Sequence, residues 1–219
     1  MSMQEHRLAV SRRARYYTLG GGAPREVWFV CHGYAQLAGR FLEKFRALDD
    51  GTRYLVAPEG LSRFYLSESP AERRVGASWM TREDRLAEIE DYVQYLDAVY
   101  ADVFGFIDRA PVTVHALGFS QGTATVSRWT AMGTGRVDRV ILWGGDFPPD
   151  LDLAREPAAG RLRVARLTLV HGLADEFITP KVAAAIVTRL GQYAIPCEEI
   201  VFDGGHVLDD AVLRRLAAG

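Results

Sequence analysis

The chain is poor in several things, and each shortage excludes something. It has two cysteines in 219 residues, Cys31 and Cys197. Two isolated thiols make no disulfide framework and have no metal-ligand spacing, and Cys31, at the end of an apolar run, reads as a buried free thiol. There is no basic excess: 26 Lys and Arg stand against 28 Asp and Glu, a net charge of -2. That excludes a nucleic-acid binder of the usual kind, which needs cations in surplus to neutralise phosphates. Lysine itself is nearly absent, with only Lys44 and Lys181. No run approaches the roughly 20 apolar residues of a membrane span. The opening "MSMQEHRLAVSRRARYY" lacks the apolar centre of a signal peptide, so a cytoplasmic protein is the default expectation.

What is present is ordinary for a globular protein: 48% hydrophobic and 25% charged residues. The length fits one α/β domain over 1–219 and can bury a large core without cross-links. Six short apolar runs read as strands covered on both faces, as in a parallel sheet: "EVWFVCHG", "RYLVAPEG", "VTVHALGFS", "RVILWGG", "RLTLVHG" and "EEIVF". Before them, within residues 1–25, "RLAVS" and "RARYYTL" suggest an N-terminal β-hairpin at an edge. Helical patterns fall between the runs, at 38–48, 82–104, 121–132, 180–192 and 208–217. In the longest, Leu86, Ile89, Val93, Leu96, Tyr100 and Val103 recur every three or four residues. Thr81 and Asp84 suggest a capping box before it, and Gly105 a stop after it. Alternating strand and helix predicts a doubly wound, mostly parallel sheet with helices on both faces. Two long irregular stretches, 58–80 and 146–163, follow strands and fall at the ligand-binding edge of such a sheet.

The chemistry centres on "VTVHALGFSQG". A Gly-x-Ser-x-Gly pattern is weak alone, but here a strand pattern precedes it and a helix pattern follows, which is the context that the motif needs. Gly118 and Gly122 allow a tight, strained turn, and Ser120 is then exposed as a candidate nucleophile. A serine hydroxyl needs a base. Of five histidines, His6 reads as solvated and His115 as a satisfied core residue, while His32 and His171 each brace the loop they open. His206 follows the last strand behind Gly204 and Gly205 and is the candidate base. Asp175, between a strand and a helix that can start near Pro180, is the candidate acid that orients it. Asp146 is the rival; Asp203, three residues before His206, is too close in the chain to reach the far side of the ring. The oxyanion donors are then the N–H of Gln121 and, in the loop "CHGYAQ", that of Tyr34.

These motifs together resemble the phospholipase/carboxylesterase family of small α/β-hydrolases, which includes acyl-protein thioesterases and bacterial carboxylesterases. "HGYAQ", "GFSQG", "HGLADEFITP" and "GGH" match its oxyanion, nucleophile, acid and base segments in order, from about residue 26 to the C-terminus. "ASWM" is similar to its small-residue-Trp stretch, which borders the acyl side. The resemblance implies an α/β-hydrolase fold without a large lid, no metal or organic cofactor, and a serine esterase acting on small or medium acyl esters. A lysophospholipase or acyl-protein thioesterase with the same triad is the alternative, and a catalytically silent binding module the third reading. The expected substrate-binding residues are Trp79, Phe64, Tyr65, Phe147, Phe177 and Ile178. The expected partner is a small-molecule ester, with no nucleic acid or integral membrane association, and the chain is expected to be a monomer or homodimer. Two departures stand out. Ala35 and Gln36 follow Tyr34 where the family usually has His-Gly-x-Gly, and Trp143 stands where a smaller residue is commoner, which narrows the expected pocket.

Overall fold

The computed structural model describes residues 2–69 and 73–218. Its centre is a sheet of seven strands in the order β1-β3-β2-β6-β7-β8-β9. The strands are β1 Tyr16–Gly20, β2 Glu26–Cys31, β3 Arg53–Pro58, β6 Thr113–Phe119, β7 Arg139–Trp143, β8 Arg166–Gly172 and β9 Cys197–Phe202. β1 runs antiparallel to β3, and every other neighbouring pair is parallel. The six apolar runs of the sequence are the six parallel strands. Alternate residues feed two cores, because successive side chains in a strand point to opposite faces. Val27, Phe29 and Cys31 pack with helices α2 (Arg85–Val103), α3 (Gln121–Met132) and α5 (Pro180–Gln192). Trp28 and Val30 pack with α1 (Ala38–Leu42), the 3-10 helix Glu43–Leu48 and α6 (Asp210–Ala217).

The sheet reverses direction beside β2. From β2 the chain moves outward to β3, then returns across β2 to lay down β6. The carboxyl ends of β2 and β6 therefore flank a crevice, the position where open α/β sheets bind ligands.

Several expectations need correcting. The N-terminal hairpin is absent: β1 is an edge strand, but residues 2–15 form no strand and β1 pairs with β3. "RLAVS" and "RARYYTL" are separated by Arg12 alone, with no residue suited to a two-residue turn. The stretch 58–80 is not wholly irregular. Within it β4 (Ser62–Tyr65) and β5 (Val75–Ser78) form an antiparallel hairpin, while residues 70–72 lie outside the described residues. Residues 146–163 likewise contain part of a short helix, α4 (Ala158–Val164). The capping box before α2 does not form; Asp84 makes no side-chain cap, and Thr81 bonds Glu88 instead. Leu86 is 69% exposed, whereas Ile89, Val93, Leu96 and Val103 are buried as the periodicity requires.

Candidate active site

Ser120 sits between β6 and α3 with φ 53° and ψ −117°, a conformation that costs a non-glycine residue of order 1–3 kcal/mol. The surroundings force it. A Cβ at Gly122 would lie 2.2 Å from the Cys31 carbonyl oxygen of β2, and one at Gly118 2.1 Å from the Gly122 oxygen of α3. Helix and strands meet backbone to backbone, and Ser120 is the partly exposed residue at the corner.

The candidate acid and base are joined. His206 Nδ1 lies 3.0 Å from Asp175 Oδ2, with side chains 19% and 1% exposed. Asp175 Oδ1 accepts the N–H groups of Phe177 and Ile178 at 2.9 and 3.1 Å. Burial pushes the Asp175 carboxyl up, but the His206 bond and these two donors outweigh it and hold the group below the ordinary carboxylate range. An ionised Asp175 fixes the proton on Nδ1 and leaves Nε2 as the basic nitrogen. The rivals do not compete: Asp146 and Asp203 are exposed and neither bonds His206.

The loops that carry this pair are stitched together. Leu173 N–H donates to the Phe202 carbonyl and Ala174 N–H to that of Gly204. Trp143 does not narrow a pocket; it is buried, and its indole N–H donates to the Val207 carbonyl at 2.9 Å, pinning the chain beside His206. Thr179 caps α5 just beyond the acid, with Pro180 in its first turn.

Ser120 stands next to this pair. The ring of Phe119 packs on that of His206 at 4.8 Å, and a Cβ at Gly144 would lie 3.1 Å from His206 Nδ1. Ser120 Oγ nevertheless forms no hydrogen bond with His206 or any other described residue. Of the two expected side-chain contacts, the Asp175–His206 bond is formed and the Ser120–His206 bond is not.

The oxyanion side is built mostly from backbone. A Cβ at Gly33 would lie 3.2 Å from Ser120 Cβ, so the loop after β2 closes directly on the serine. Gly33 N–H donates to Gln36 Oε1 at 2.9 Å. Ala35 takes φ 64°, the left-handed region usually held by glycine. The N–H groups of Tyr34 and Gln121 donate to no acceptor among the described residues. The Gln121 side chain has a role that the motif did not reveal. It accepts Trp79 N–H at 3.1 Å and donates to Met80 O at 2.8 Å and Ser78 Oγ at 3.1 Å. It clamps the end of the β4–β5 hairpin to the turn that carries Ser120.

His32 braces this loop: Gly60 N–H donates to Nε2, and Nδ1 lies 2.8 Å from the Gly33 carbonyl. Burial pushes its imidazole pKa down. His171 pairs with Glu199 at 2.8 Å, and His6 is exposed. His115 is buried, but it is not satisfied: neither ring nitrogen has a hydrogen-bond partner. Its ring stacks on Trp28 at 4.3 Å.

The expected substrate residues divide. Trp79, Phe147 and Ile178 are at most 2% exposed and belong to the core; the Trp79 indole N–H donates to the His32 carbonyl. Of the others, two make contacts beside the candidate residues. Phe177 meets His206 edge-on at 4.7 Å, Tyr34 stacks on Phe64 at 5.2 Å, and Tyr65 is exposed.

No family model matches this chain, and no curated protein matches it. Solved structures do. A carboxylesterase from Mesorhizobium loti superposes with a TM-score of 0.72 at 24% identity, covering 94% of this chain and 95% of that one. Acyl-protein thioesterase 2 of Zea mays gives 0.68 at 18%, covering 94% and 99%. Esterase PE8 gives 0.68 at 19%, covering 94% and 96%. At these identities the likeness concerns the fold, and the fold is that of the α/β-hydrolases.

Proposed function

We propose that this protein is a serine hydrolase of carboxylic esters, with Ser120 as nucleophile, His206 as base and Asp175 as the orienting acid. The observation that carries the reading is the Asp175–His206 hydrogen bond of 3.0 Å beside a serine held at φ 53°. Fold neighbours named as esterases and a thioesterase support it.

In this reading Ser120 Oγ adds to the substrate carbonyl carbon while His206 Nε2 takes its proton. Nucleophile–base bonds are often long in free enzymes and tighten in the substrate complex. The oxygen of the tetrahedral intermediate accepts from the N–H groups of Tyr34 and Gln121. Losing one such donor typically costs about 2.7–4 kcal/mol of transition-state stabilisation. The C–O bond then breaks, and the leaving alcohol takes the proton from His206. Water, deprotonated by the same nitrogen, releases the acid and frees Ser120. No step calls on a cofactor or metal.

Small soluble esters are the preferred substrates in this reading, since the described residues include no large lid domain. A second reading, with a thioester or lysophospholipid as the main substrate, is favoured by the exposure of Tyr34, Tyr65 and Phe177, at 58%, 63% and 60%. A rate series over acyl length separates the two. The test of the shared core is Ser120→Ala with a short p-nitrophenyl ester. The expected loss is at least about 1,000-fold in kcat, and retention of most of the wild-type rate would end the reading.

A further inference from the structure

A cavity of about 210 Å³ opens between the loop after β2, α1 and the β4–β5 hairpin. Its apolar floor includes Leu66, and Ala35 and Gln36 form the wall toward the oxyanion loop. Three exposed cations stand around it, Arg40, Lys44 and Arg74, and no carboxylate is among the described residues that line it. None of the three makes a salt bridge among the described residues. Of the described carboxylates near these elements, Glu43 holds Arg46, Glu59 holds Arg15 and Arg63, and Glu68 on the hairpin's connecting loop is not among the lining residues. In a chain of net charge -2, three cations gathered with no ion-pair partner among the described residues form a local positive field.

Gly33 and Gln36 stand between the cavity and the proposed nucleophile. The Cβ position of Gly33 lies 3.2 Å from Ser120 Cβ and 3.4 Å from Gln36 Oε1, and Gln36 is the cavity wall. Both sides are fixed. Ala35 N–H donates to the Ala77 carbonyl at 2.9 Å and Ala77 N–H to that of Gln36 at 3.1 Å. Arg40 and Lys44 are four apart, on one face of consecutive helical turns, with Arg74 contributed by the hairpin opposite.

We propose that this cavity is an anion subsite, and that the preferred ester carries a carboxylate or phosphate a few atoms from the scissile carbonyl. The inference rests on the esterase reading for its substrate and on the cavity alone for its anion. The volume takes a charged head with a short chain, well below the size of a whole drug-like ligand. A charge-assisted contact to Arg40 or Arg74 would draw such an ester in by the oxyanion loop.

The test pairs anionic esters with neutral partners. Mono-p-nitrophenyl glutarate against p-nitrophenyl pentanoate puts the charge on the acyl arm. p-Acetoxybenzoate against its methyl ester puts it on the leaving group. The expected result is a kcat/KM preference of about 10-fold or more for one anionic member, lost in Arg40→Gln/Lys44→Gln/Arg74→Gln. Neutral rates should stay within about 2-fold in that variant, since none of the three touches the reacting atoms. About 1 M salt, with a Debye length of about 3 Å, should shrink the preference. An anionic-to-neutral ratio that the triple variant leaves unchanged, or the lack of any preference, overturns the proposal while the esterase reading stands. Should no ester be turned over, that reading falls, and calorimetric titration decides the subsite. Glutarate or inorganic phosphate binding to wild type but about 10-fold more weakly to the variant upholds it, with the two titrants distinguishing carboxylate from phosphate; equal binding overturns it.

Discussion

The two edges of the proposed site are built by different physics. At the acid–base edge, Asp175 takes one bond from His206 and two from the backbone, and the carboxylate charge organises the loop. At the oxyanion edge the ion-paired Glu59 reaches only the far end of the loop, through Ala38 N–H, and the turn itself is held by backbone and amide bonds. Ala35 is held at φ 64° by bonds to β5, and a neutral amide, Gln121, clamps the hairpin. The first edge draws its order from charge, the second from backbone pairing against local strain. The first should therefore fail when a charge is removed or titrated. The second should yield to substitutions that alter backbone freedom or an amide.

The largest effect is expected from the charged edge. Asp175→Asn keeps the shape but no longer fixes the Nδ1 proton, so kcat on a short ester should fall about 10,000-fold. Asp175→Ala should also lower the thermal midpoint, because the N–H groups of Phe177 and Ile178 lose their acceptor. Equal stability of the two variants would count against the carboxylate as organiser. Next comes Gln121→Ala, which removes an amide from the oxyanion edge and keeps its N–H. Stability should drop by about 1–3 kcal/mol in urea titration, with a rise in KM as the hairpin end loosens. A fall in kcat with stability intact would instead assign the side chain a catalytic contact.

Acid separates charged groups from the rest. Burial pushes the His115 imidazole down to about 4 from an ordinary 6.5. The unfolded chain then binds the proton more readily than the folded one. The associated stability is complete above about pH 6.5 and is lost as pH falls toward 4. The depressed Asp175 acts in the same direction, with its contribution lost as pH falls below the ordinary carboxylate range. His115→Phe, which preserves the stack on Trp28, should flatten the loss between pH 6.5 and 4; an unchanged pH profile would contradict the assignment. The smallest effect belongs to the strained loop. Ala35→Gly should stabilise by no more than about 1 kcal/mol, since relief of the positive φ is partly offset by a freer unfolded chain.

The same contrast explains what the sequence made legible. Five of the six parallel strands are plain because their runs are mostly apolar and buried on both faces, whereas β9, at the sheet edge, exposes Glu198, Glu199 and Val201 and is not covered on both faces as expected; β6 through Ser120 into α3 is a motif with a steric cause. The Asp175–His206 pair could be anticipated because charged chemistry requires particular residue types. The β4–β5 hairpin escaped notice because "SRFY" and "VGAS" are too short to display a period. Residues 2–15 misled because apolar residues near a chain end imitate a strand that has no turn to pair it. Trp79 and Trp143 look like pocket walls in sequence; both are buried, and each uses its indole N–H to hold a neighbouring loop, while Trp79 also lines a cavity. An aromatic residue near a motif does not reveal which side it faces. His115 shows the converse limit, since its burial was readable but its lack of partners depends on the whole surrounding packing.

The central claim is that Ser120 and His206 act together although no hydrogen bond joins them in the free protein. Intact-mass measurement of fluorophosphonate labelling addresses it most directly. One adduct per chain on the peptide containing Ser120, formed at least about 1,000-fold more slowly in a folded His206→Gln variant, is the expected result. An adduct on another residue, or labelling whose rate ignores the loss of His206, would contradict it.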